Sequence, residues 1–106
     1  MQIDTLVVDF EKALEGAVFI NPDCFMELVD VVKSSYFSIN RNQWIWEAFE
    51  SLSERDIPID HLTVCDELNS KGRLEEIGGS GYLIDLVNWC PTSLNAMAYG
   101  EQVRKK

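Results

Sequence analysis

Apolar residues recur along this chain at intervals of three and four, and each run is cut by proline, glycine or a capping side chain. That spacing places side chains on one stripe of a helix. Ile3, Leu6, Val7, Phe10, Ala13, Leu14, Ala17 and Val18 define a first helix over residues 4–19, with Asp4 as its N-cap. Asn21-Pro22 interrupts it, and proline suits the first position of a new helix. Asn21 is read as that cap, with Phe25, Leu28, Val29 and Val32 as the buried stripe. Residues 34–39 read as a connector. Asn40 caps a third helix to about Arg55, with Trp44, Ile45, Ala48, Phe49 and Leu52 facing inward. Asp60 caps a fourth, whose face is Leu62, Val64, Cys65 and Leu68, and Gly72 stands where a left-handed C-terminal cap belongs. Gly78, Gly79 and Gly81 mark a turn. A fifth helix runs through Tyr82, Leu83, Leu86, Val87 and Cys90 and ends at Pro91. Thr92 or Ser93 caps a sixth through Leu94, Met97, Ala98, Tyr99 and Val103. No segment alternates as a strand does. The expected fold is all-α, a compact orthogonal bundle of five to six short helices in one domain over residues 1–106.

Charge narrows the partners. Eighteen acidic residues face nine basic ones, a net charge of −9. Nucleic acid and anionic membranes are repelled by most faces of such a domain. Direct nucleic-acid binding and membrane association are therefore not expected, and partners are expected to be proteins. A helix-turn-helix reader needs a basic recognition helix, whereas residues 61–70 carry Asp66 and Glu67. Cys24, Cys65 and Cys90 are odd in number and widely spaced, which fits neither a disulfide framework nor a zinc knuckle. They read as reduced thiols of a cytoplasmic protein. No signal peptide and no apolar run of membrane-spanning length is visible.

Candidate chemistry is sparse. His61 is the only histidine, and no cysteine or second histidine accompanies it as a metal ligand would require. Asp66-Glu67 and Glu75-Glu76 are adjacent pairs, and neighbours on a helix point about 100° apart. Gly78-Gly79-Ser80-Gly81 lacks the Gly-Lys-Ser/Thr ending of a phosphate loop. No catalytic, cofactor-binding or metal residue is assigned. Trp44, Ile45 and Trp46 are consecutive, and one helix face cannot hold all three. Aromatic residues of a small bundle usually serve the core. Trp46 is nevertheless retained beside Leu94, Met97, Tyr99 and Val103 as a candidate partner or oligomer surface.

From about Phe10 onward the sequence resembles the N-terminal domain of DnaB-type replicative helicases. Glu11-Lys12-Ala13-Leu14-Glu15-Gly16-Ala17-Val18 looks like that family's opening helix, and Asn21-Pro22-Asp23 like its Asp-Pro-Glu helix start. Trp46-Glu47-Ala48-Phe49 resembles its Phe-Glu-Ala-Ile. Ile57-Pro58-Ile59-Asp60-His61-Leu62-Thr63-Val64 resembles its Pro-Ile-Asp-Leu-Val-Thr-Val. The Gly72–Gly79 stretch, Gly81-Tyr82-Leu83, Pro91-Thr92-Ser93, Asn95-Ala96 and Tyr99 follow in order. Three places depart from the pattern. Tyr36-Phe37-Ser38 stands where an acidic residue and Phe-Tyr are common, Asn42 replaces a histidine, and Glu15 replaces a small or apolar residue.

The resemblance implies a ring-hexamer helicase that unwinds duplex DNA. ATP and Mg belong to a separate C-terminal motor domain, and this domain needs no cofactor. The N-terminal domains form a collar that helps receive the C-terminal domain of primase. A helical hairpin after the globular part pairs subunits into dimers, and residues 93–106 are expected to lead toward it in a longer chain. The competing reading is a stand-alone phage or plasmid adaptor that mimics the collar and binds primase or helicase.

Overall fold

Four positive-φ residues and two side-chain caps punctuate the elements of this computed structural model, which describes residues 5–105. The described elements are α1 (Thr5–Ile20), α2 (Phe25–Leu28), α3 (Asn40–Glu54), α4 (His61–Ser70), α5 (Ser80–Trp89) and α6 (Ala96–Lys105). Short 3-10 turns at Pro22–Cys24, Ser34–Tyr36 and Ser93–Asn95 join them. The fold is all-α with no strand among the described residues. Its radius of gyration is 12.4 Å, close to the roughly 13 Å expected for this length.

The helix stops share one geometry. After α3, Asp56 adopts φ 57°; its N–H donates to Ser53 O, and Ile57 N–H donates to Leu52 O. After α4, Gly72 adopts φ 69°; its N–H donates to Asn69 O, and Arg73 N–H donates to Leu68 O. Gly78, at φ 108°, closes the turn over residues 73–77 in the same way, through Glu75 O and Leu74 O. Each is a Schellman closure, which satisfies carbonyls a helix end leaves free. Gly72 confirms the expected cap, and Asp56 performs the same task as one of the few non-glycine residue types that enter αL with any frequency.

The starts are mixed. Asp60 caps α4 reciprocally: Thr63 N–H donates to Asp60 Oδ1 at 2.8 Å and Asp60 N–H to Thr63 Oγ1 at 3.0 Å. Thr92 Oγ1 accepts from Leu94 N–H at 3.2 Å. Asn21 and Asn40 make no capping bond; Ile39 holds the N-cap position of α3, and Asn40 is its first helical residue. The expected Asp4 cap and Ile3 stripe position lie outside the described residues. Gly81 belongs to the first turn of α5, so the glycine turn ends at Gly79.

The helix at the centre is α1. It packs along α5 and α6 and also touches α3. From Ala13 to Val18 every residue is buried, so the single stripe inferred from spacing becomes burial on all sides in this segment, while Leu6 of that stripe is 59% exposed near the start of α1. Gly16 permits the closest crossing: a Cβ there would lie 2.1 Å from Leu86 O on α5. Gly100 brings α6 to within 3.0 Å of Leu28 Cδ2 by the same measure.

Several stripe assignments shift. Leu62 is 77% exposed, because α4 turns Val64, Glu67 and Leu68 inward and Leu62 falls off that face. Val29 is exposed just past the single turn of α2, where Leu28 O accepts both Val31 and Val32 N–H groups. Trp44 is only half-buried, and the inward tryptophan is Trp46. Its ring meets Phe25, Phe37 and Phe49 at 5.1, 5.3 and 5.5 Å. Phe37, from the connector, is fully buried in this aromatic cluster, which spacing alone does not reveal.

Candidate protein-contact surface and a buried polar cluster

The candidate contact residues divide between inside and outside. Trp46 is 0% exposed and cannot meet a partner in this fold; the aromatic cluster encloses it. Val103 and Tyr99 are also buried, since α6 turns Ala96, Tyr99, Gly100 and Val103 toward the core at helical spacing. Leu94 is 91% exposed and Met97 39% exposed. These two lie at the start of α6 and its preceding turn, which packs beside α1. Trp89, at the end of α5, is also exposed, with Lys12 Nζ 4.0 Å from its ring centroid. The end of α5 therefore carries a cation–π pair.

Residues with catalytic potential do not converge. His61 is exposed, with Nε2 3.3 Å from Ser80 O. Asp66 points to solvent, whereas Glu67 is buried between Arg55, to which it is hydrogen-bonded, and Lys71, 3.3 Å away. Burial pushes the Glu67 carboxyl up, but bonds from Ser51 and Lys71 and the charges of Arg55 and Lys71 outweigh it and hold it below its usual range. Glu75 and Glu76 are exposed in the turn before Gly78. No group of three or more His, Cys, Asp or Glu side chains is arranged to hold a metal among the described residues. Cys24, Cys65 and Cys90 are free thiols, and burial pushes Cys24 up to about 11.

One polar cluster escaped the reading of the sequence. Glu11 is fully buried and accepts from Ser38 N–H and Oγ–H at 2.7 Å each, and from Asn42 Nδ2 at 2.9 Å. Tyr82 O–H donates to Asn42 Oδ1 at 2.6 Å. The chain of bonds ties α1, the connector, α3 and α5 together. Arg41 lies 4.7 Å from the Tyr82 ring, and burial pushes that phenol well up. Glu15, one turn along α1, is fully buried with neither carboxyl oxygen partnered. Burial first, and the charge of Glu11 second, raise it well above the usual carboxylate range. Ser38, Asn42 and Glu15 are the three departures noted in the sequence, and they meet around or beside Glu11. The signal was their shared dependence on α1, which linear spacing does not display.

The profile of the DnaB-like helicase N-terminal domain matches residues 5–105. The chain is 34% identical over 99 residues to the replicative DNA helicase DnaC of Bacillus subtilis, covering 93% of this chain and 22% of that protein. It is 33% identical over 99 residues to the replicative DNA helicase DnaB of Geobacillus stearothermophilus, with the same coverage of 93% and 22%. It therefore spans about a fifth of the length of these relatives. The crystal structure of the N-terminal domain of DnaB helicase from Mycobacterium tuberculosis superposes with a TM-score of 0.89 at 28% identity, covering 92% of this chain and 70% of that one. No helix among the described residues is long and apolar enough to cross a membrane. Sequence profile, curated relatives and fold agree, and the chain belongs to the family of DnaB-like helicase N-terminal domains.

Proposed function

We propose that this domain is the protein-contact module of a ring-forming, ATP-dependent replicative DNA helicase in the cytoplasm. It serves in the collar, in pairing subunits, and in contact with the C-terminal domain of primase. ATP and Mg act on a motor domain elsewhere in the parent protein, and this domain itself binds no cofactor and no nucleic acid directly. The observation that carries the reading is the family membership of residues 5–105. The net charge of −9 supports protein rather than nucleic-acid partners. Leu94 and Met97, exposed beside α1, supply the apolar element of a contact.

The test is light scattering on a size-exclusion column with the cognate primase C-terminal domain. A complex is expected with the wild-type chain and not with Leu94→Asp/Met97→Asp, whose fold is retained because Leu94 is 91% and Met97 39% exposed. A complex that survives the double substitution would move the contact to another face. Absence of any complex would remove primase from the reading.

A further inference from the structure

A second surface lies on another part of the molecule, between the turn into α2 and the linker from α3 to α4. A cleft of about 360 Å³ opens there, at the small end of the roughly 300–1,000 Å³ typical of ligand clefts. Its floor is Phe25 and Ile59, both buried. Its walls are Met26, 67% exposed, and Pro58. Asp23 and Asp56 stand exposed on its rim, and no lysine or arginine lines it. The nearest cation in sequence, Arg55, is committed elsewhere: its guanidinium reaches Ser51 and Glu67.

The walls are held in place before any partner arrives. Pro22 and Pro58 fix their own φ angles. Asp56 is pinned at φ 57° by the Schellman bonds through Ser53 O and Leu52 O. Thr63 Oγ1, part of the α4 capping box, donates to Pro58 O at 2.7 Å. A preformed cleft loses little entropy when it is filled. Leaving Met26 in water while the rim carries only negative charge is an arrangement complementary to an apolar side chain with cationic neighbours.

We infer that this cleft docks an apolar side chain of a partner protein segment whose flanking residues are lysine or arginine. The inference does not depend on the α6 edge or on primase being the partner. An acidic segment is excluded by Asp23 and Asp56, and nucleic acid by the same charges.

The test is selection of a randomised short-peptide library on the full chain, followed by titration of the enriched peptides. Enriched sequences are expected to place Leu, Ile, Met or Phe beside Lys or Arg. Their affinity should fall about tenfold in Asp23→Lys/Asp56→Lys and vanish in Met26→Asp. Asp56→Gly should weaken binding while leaving the fold at least as stable, because glycine accepts the left-handed backbone freely. That split separates docking from folding. The inference is overturned by the absence of an enriched motif, by an acidic or uncharged motif, or by binding that persists in folded Met26→Asp.

Discussion

Glu15 carries the largest electrostatic liability of the domain. Its carboxyl is fully buried, lacks a partner, and sits near Glu11. A carboxyl whose folded pKa is raised stabilises the fold fully only below its unfolded value, near 4.5. That contribution is lost as pH rises toward the folded value. Glu15→Met keeps similar volume and removes two unsatisfied oxygens, so it should stabilise the domain at pH 7 by about 1–3 kcal/mol. The gain should shrink as pH approaches 4.5. Urea denaturation at both pH values measures it, and equal stability of the two proteins at pH 7 would show that Glu15 finds a partner. The sequence displays Glu15 as an odd member of an apolar helix but not the reason. Burial on all sides of α1 depends on α3, α5 and α6 closing around it, and spacing within one segment cannot report that. Trp46 was hidden similarly: three consecutive large residues leave the inward one undecided until Phe25 and Phe37 arrive from distant segments.

Helices and their punctuation were the most readable level. Asp60, Gly72 and Pro91 mark boundaries through local chemistry, and local chemistry is present in the sequence. Asp60→Ala should cost about 1 kcal/mol, measured by thermal denaturation; no loss would mean that Thr63 alone holds the start of α4. Asn21 and Asn40 look equally suitable, yet tertiary packing starts the adjoining helices without their side chains. Crossings between helices are less legible. Gly16 is the clearest case, since its value lies in Leu86 O across the interface. Gly16→Ala gains about 1 kcal/mol of helix propensity. The clash with a backbone carbonyl should outweigh it and leave a net loss of about 1–3 kcal/mol. Leu83→Ala, on the buried face of α5, should cost about 2–5 kcal/mol. A loss near zero in either variant would contradict the packing of α5 on α1.

At the scale of the whole molecule, an excess of acid is arranged around one core without a convergent reactive group among the described residues. The family resemblance was readable from motif order, and the all-α fold from periodicity. Exposure was only partly readable: of the five residues named as a candidate surface, Leu94 and Met97 are exposed, while Trp46, Tyr99 and Val103 are buried. The central claim is that this acidic domain works through protein contacts in a replicative helicase. Calorimetric titration with the cognate primase C-terminal domain at low and high salt tests it most directly. Binding that weakens as salt rises is the predicted result, because an acidic surface is screened by added ions. An absence of binding at both salt concentrations, or an affinity that ignores salt, would contradict the primase contact in that claim.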